Sequence, residues 1–260
     1  MENYGIKIKW LSVASFEIEK NGATVVTDPF FTANQYSPCN VDSVENCDYI
    51  TLSHCHWDHI PDIPALYEKF RPRILCGTLT AEPLCRWADM NPYYVYPMES
   101  DLELDFDNIK IKALFGKHVD LKREWSGIEK RWYNNGIVDE KMGLIQPIGT
   151  LDYRNYLFTY PDGLKVLIWG NPLVSFQKNI LRREKPDIAI LQATGQISNP
   201  QKFAEFVAEF SPKIVIPHHM DLSHPVEKVM DKLLAAKEAV EKTSPGTKFI
   251  IPVHGEWIEL

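Results

Sequence analysis

The chain has 260 residues, 45% of them apolar and 24% charged, with 35 Asp and Glu against 28 Lys and Arg for a formal charge of −7. That is ordinary globular composition, whose acidic balance disfavours a long nucleic acid as partner and leaves a small-molecule substrate, anionic ones included, open. Without an export pattern, an apolar run of the roughly 18 residues a spanning helix needs, or any Cys-x-x-Cys pair among its five cysteines, it reads as a cytoplasmic protein with no membrane span, disulfide framework or thiolate zinc knuckle.

In chain order, Ile6 to Phe16 and Ala23 to Thr27 alternate around the turn pair Asn21-Gly22 and predict hairpin strands. Tyr49-Ile50-Thr51-Leu52 predicts a buried strand, Ile63 to Phe70 a helix with Asp62 near its start, and Arg73-Ile74-Leu75-Cys76 the next strand, together a βαβ unit. Leu102 to Leu114 reads as a further hairpin turning at Asp107-Asn108. Val119 to Ile148 shows no clear periodicity and carries Lys122, Arg123, Trp125, Lys130, Arg131, Trp132 and Tyr133. It is expected to be an insertion on the substrate side, either a binding loop or lid or a disordered loop. Its aromatic and basic side chains suit a sugar or a phosphate as well as they suit solvent.

The second half predicts strands at Val166 to Trp169, Ile188 to Leu191 and Ile214 to Ile216, with helices near Lys202 to Phe210 and Val226 to Glu241. No short-period repeat, low-complexity tract or polar linker divides the chain. The pattern predicts one α/β domain over residues 1–260, two packed sheets with helices outside. Oligomeric state is not legible in it.

The chemistry concentrates in His54-Cys55-His56-Trp57-Asp58-His59. In extended chain residues i and i+2 face the same way, so His54 and His56 can converge on one cation while Asp58 and His59, where the chain turns toward Pro61, address a second. Imidazoles with a carboxylate suit zinc first and also manganese, iron or nickel, one or two ions per chain. Three protein ligands and an open position lower the pKa of bound water to about 7, which makes hydrolysis the expected reaction. Chance clustering of histidines on a polar loop is the bland alternative, and four ligand-type residues in six positions speak against it. Cys55, between two ligands, is expected to point away as a packed thiol.

This run resembles the His-x-His-x-Asp-His signature of the metallo-β-lactamase fold hydrolases. With Lys9-Trp10-Leu11-Ser12-Val13-Ala14-Ser15-Phe16 and Thr27-Asp28-Pro29-Phe30, the chain looks like the branch containing ascorbate-6-phosphate lactonase, over most of its length outside the insertion. The resemblance implies a four-layer αββα sandwich. It assigns His118, after Leu114-Phe115-Gly116-Lys117, to the first metal site with His54 and His56. It assigns His219 to the second, with His218 of Pro217-His218-His219 as the reserve. Asp28 is implied as a brace of the metal loop, while a turn Asp before Pro29 explains it equally well. Asp58 is expected both to serve as a ligand and to orient the nucleophile. The implied substrate is a small, phosphorylated or sugar-derived lactone, with a phosphodiester as the enzymatic alternative.

One position departs from the family. Where it carries an Asp that bridges two metals, this chain reads Leu167-Ile168-Trp169-Gly170-Asn171. A neutral amide offers one carbonyl oxygen and no charge, so Asn171 is expected to weaken the second site and leaves a catalytically silent metal-binding or ligand-sensing protein as a competitor. His224, His254 and Asp221 are expected to be loop residues, Asp221 with a second reading as a tautomer-holding partner.

Overall fold

The computed structural model describes residues 3–118, 136–170, 175–193 and 195–260. Strands β1 (Lys7–Ser12), β2 (Ser15–Lys20) and β3 (Ala23–Thr27) form an antiparallel meander. Asn21 and Gly22 close the second turn at φ 54° and 71°, the left-handed pair that a two-residue hairpin turn requires. From there the sheet grows in parallel through β4 (Tyr49–Thr51), β5 (Arg73–Gly77) and β6 (Val95–Met98), with α1 (Ile63–Phe70) and α2 (Thr78–Ala88) as crossovers. The expected βαβ unit is therefore present.

The second sheet follows the same plan. β7 (Glu103–Asp105), β8 (Lys110–Phe115), β9 (Arg154–Thr159) and β10 (Lys165–Trp169) are antiparallel, with α3 (Glu140–Leu151) between β8 and β9. β11 (Ile188–Gln192), β12 (Ile214–His218) and β13 (Lys248–Phe249) continue in parallel, their connections carrying α4 (Ser175–Glu184), α5 (Pro200–Ala208) and α6 (Met230–Thr243). The last strand, β14 (Trp257–Glu259), returns to pair antiparallel with β1. Among the described residues this makes two seven-stranded sheets, ordered β14-β1-β2-β3-β4-β5-β6 and β13-β12-β11-β10-β9-β8-β7, and six α-helices.

The sheets are joined by one core in which Ile8, Phe16, Ile18 and Val25 meet Ile111, Phe158, Val166 and Ile190. On the outer face of the first sheet Leu11, Val26, Ile50 and Ile74 pack against Ile63, Leu66 and Leu84 of the two crossover helices. Each such side chain, fully buried, contributes about 1.5–3 kcal/mol, and this is the αββα layering expected.

Three helices, α2, α3 and α4, were not predicted from the sequence. Pro83 interrupts α2, and α3 contains Gly143, Pro147 and Gly149, residues that lower helix propensity and break the apolar pattern. Asp139 nevertheless caps α3, its carboxylate accepting from Met142 N at 2.7 Å. From residue 140 onward the expected irregular insertion is thus a helix. Residues 119–135, with Lys122, Arg123, Trp125, Lys130, Arg131, Trp132 and Tyr133, lie outside the described residues. No helix among the described residues is long and apolar enough to cross a membrane.

Candidate metal centre

The candidate ligands sit on segments that follow β4, β8 and β12, at one edge of the sandwich. After β4 the chain does not continue as a strand. Asp28 Oδ1 accepts from Ser53 N at 2.7 Å where the chain bends, and His59 N donates to His56 O at 3.0 Å in a turn. The bend and turn, rather than strand alternation, gather the histidines.

Ligand atoms of His54, His56 and His118 lie within 4.8 Å of one another, and so do those of His54, Asp58 and His59. His118 stands three residues past β8, its ring 4.6 Å from those of both His54 and His56. His219 enters from the end of β12 at φ 64°, a left-handed backbone whose N–H donates to Val13 O at 2.7 Å. Its Nε2 is 3.5 Å from Asp58 Oδ2, which is 3.6 Å from His59 Nε2. His218 goes elsewhere: it is fully buried, with Nε2 3.0 Å from Trp169 O and the ring edge-on to Phe16. Of the two adjacent histidines, His219 joins the cluster. Asp28, besides holding Ser53, sets Oδ2 3.2 Å from His59 Nδ1. Asn171 lies outside the described residues.

Burial governs the protonation of the cluster. It pushes His54 well below the ordinary imidazole range, with the neighbouring charges of His59 and His56 adding to the effect. It lowers His56 to about 4 and His118 to about 3, so all three are neutral, the form that donates a nitrogen lone pair to a cation. For Asp58 burial acts upward, but the charge of His59 and the hydrogen bond and charge of His219 outweigh it and hold the carboxyl below its usual range. Burial likewise lowers His59, and Asp58 and Asp28 outweigh it in the opposite direction.

The donor set fits a divalent cation that accepts imidazole and carboxylate ligands. His54 Nδ1 is within hydrogen-bond distance of Ser53 Oγ at 2.9 Å, while His54 Nε2 is buried with no hydrogen-bond partner among the described residues. Leaving such an atom unsatisfied costs about 1–3 kcal/mol, which a bound cation removes.

A family model for the β-lactamase superfamily domain matches residues 7–219. The chain belongs to the metallo-β-lactamase superfamily. Metal-dependent hydrolases of Cupriavidus metallidurans and Archaeoglobus fulgidus are 27% and 26% identical to it, over 97% and 98% of this chain and 84% and 99% of theirs. Igni18, a metallo hydrolase of Ignicoccus hospitalis, shares the fold at a TM-score of 0.70 with 16% identity, covering 97% of both chains. An isothiocyanate hydrolase from Delia radicum gut bacteria does so at 0.66 with 15% identity, over 97% and 98%.

Against this superfamily scaffold, several supporting residues were invisible in the sequence. Thr150 Oγ1, from α3, is 3.2 Å from His56 Nε2, and Tyr153 places its ring 4.8 Å from that of His54. Asp221 lies in the loop after β12, as its local context suggests, but it is not a solvated carboxylate. Fully buried, it accepts from Val13 N at 2.9 Å, Asn34 Nδ2 at 2.8 Å and Ser12 Oγ at 3.1 Å, and it pairs with His254 Nε2 at 2.9 Å. These partners are 33 to 209 positions away, so no local pattern announces them. His254 stacks on Trp10 at 3.9 Å, and neither it nor His224 belongs to the ligand clusters. Cys55 behaves as expected, its Sγ donating to Ile145 O at 3.2 Å and its thiol pushed up to about 12 by burial.

Proposed function

We propose that this metal-dependent hydrolase opens a small lactone, or a closely related ester, phosphorylated or sugar-derived substrates first among them. The observation that carries the reading is the convergence of His54, His56 and His118 beside Asp58, His59 and His219, around a His54 Nε2 that has no hydrogen-bond partner among the described residues. The first three residues would hold one cation, zinc by preference and manganese, iron or nickel by compatibility. Asp58, His59 and His219, with Asn171 in the position of the family's bridging Asp, would hold a second more weakly. Such a cation, when bound, supplies Lewis acidity toward a developing oxyanion and makes water acidic near neutral pH.

The chain's own groups do the rest. Asp58, kept ionised by His59 and His219, accepts a hydrogen bond from the attacking water and turns its lone pair toward the carbonyl carbon. Beside it Val13, Ala14 and Phe30 pack with Trp57, Ile137 and Leu222 into an apolar wall that limits competing water. The resemblance of the early Lys9 to Phe16 and Thr27 to Phe30 segments to the lactonase branch supports the substrate class, and the basic residues between 122 and 131 support a phosphorylated one.

The test compares zinc- and manganese-loaded protein on a phosphorylated lactone and on a generic bis-phenyl phosphodiester. Lactone turnover that His54→Ala and His118→Ala abolish supports the reading, whereas turnover of the phosphodiester alone replaces it with a phosphodiesterase. Asn171 specifically favours a silent ligand-binding protein, which ligand binding without hydrolysis across ester, lactone and phosphodiester panels would support.

A further inference from the structure

Between β4 and α1 the chain leaves its sheet, so among the described residues no neighbouring strand fixes the direction of the residues on either side of His56. In a parallel ladder, the C=O of residue i−1 and the N–H of residue i+1 point to one side and are bonded by a single residue of the next strand. Here one side chain bonds that pair. Gln146 Oε1 accepts from Trp57 N at 2.8 Å, and Gln146 Nε2 donates to Cys55 O at 3.1 Å. Gln146 is fully buried, and its Nε2 also donates to Met142 O one turn back, at 3.2 Å. With the amide committed on both ends, flipping it would set donor against donor and acceptor against acceptor. The same face of α3 then meets His56 directly. Thr150 Oγ1 lies 3.2 Å from Nε2, and a Cβ on Gly149 would stand 2.5 Å from the ring.

We propose that Gln146 is a positioning residue: its amide replaces the missing neighbouring strand and aims His56 into the cluster, while Thr150 secures the far nitrogen of that ring. The inference rests on reading the 54–59 loop as a metal centre. A mere packing role makes a different prediction, because Gln146→Met keeps the volume and removes both bonds to the 54–59 loop.

The experiment is a cobalt(II) titration of wild-type and Gln146→Met protein, read by visible ligand-field absorption and by competition with a chromophoric chelator. Loss of such an outer contact is expected to weaken the first cobalt ion by about 10–100-fold and to change its absorption bands. Wild-type affinity and spectrum in the variant would overturn the positioning role alone, and failure of the wild type to take up cobalt would overturn the metal centre with it. Should the variant not fold, amide hydrogen exchange on the unaltered protein decides. A Trp57 amide protected like those of β4 supports the proposal, and one exchanging as an open loop ends it.

Discussion

Replacing Gly149 by alanine sets two known effects against each other at one atom. In a helix interior the change favours folding by about 1 kcal/mol. In this helix, however, the new Cβ would lie 2.5 Å from His56 Cδ2, 3.0 Å from its Nε2 and 3.1 Å from its backbone N. The ring can shift, but the backbone nitrogen belongs to a loop held by Gln146 and cannot yield as easily. Overpacking of this kind costs about 1–3 kcal/mol, so the clash is expected to win by about 0–2 kcal/mol net. At about 2–4 °C per kcal/mol for a protein of this size, melting should fall by only a few degrees. The functional loss should be larger, since relief of the clash displaces a candidate ligand, and zinc affinity measured by chelator competition is expected to drop about 10-fold or more. Gly246→Ala, where nothing lies within 4 Å of the added carbon, is the control and should stay within about 0.5 kcal/mol of wild type. A Gly149→Ala protein that melts higher than wild type and binds zinc unchanged would refute the argument that α3 presses on the metal loop.

Asn171→Asp should raise the number of tightly held ions per chain, measured by elemental analysis after dialysis, and two such ions in the unaltered protein would contradict the weakened second site. Cys55, its thiol raised to about 12 by burial, should stay protonated and unlabelled by a disulfide reagent at pH 8 until denaturant is added; rapid native labelling mapped to Cys55 would be the contrary result. Lys9 and Glu17 form a buried pair at 2.8 Å, and Glu17→Gln keeps the side chain's shape while removing its charge. Burial raises the Glu17 carboxyl despite Lys9. Its stability contribution is therefore fully present below the unfolded carboxylate range and lost as pH rises through the raised folded value. Glu17→Gln, which stands in for the protonated carboxyl, should accordingly gain on the wild type in denaturant titrations as pH rises over that window, and a wild type that gains on the variant instead would reverse the sign.

Local pattern was enough for much of this protein. The hairpin at Asn21-Gly22, the unit from Tyr49 to Gly77 and the strands β10 to β12 each carry their own period and turn chemistry, and the run from His54 to His59 announces metal chemistry by residue type alone. What only the tertiary structure decided are relations between distant segments. The sequence offered His218 and His219 as neighbours, and the left-handed turn held by Val13 sends one to Asp58 while β12 buries the other between the sheets. It offered Asp221 as a loop carboxylate, and packing made it a buried anchor for Ser12, Val13, Asn34 and His254. It offered no helix at Glu140–Leu151, because glycine and proline erase the period; yet that helix supplies Gln146 and Thr150 to the loop. The physical reason is common to all three cases. Propensity and alternation act over a few residues, whereas the direction of a ligand is set by hydrogen bonds and close approaches whose partners are brought together only when the two sheets pack.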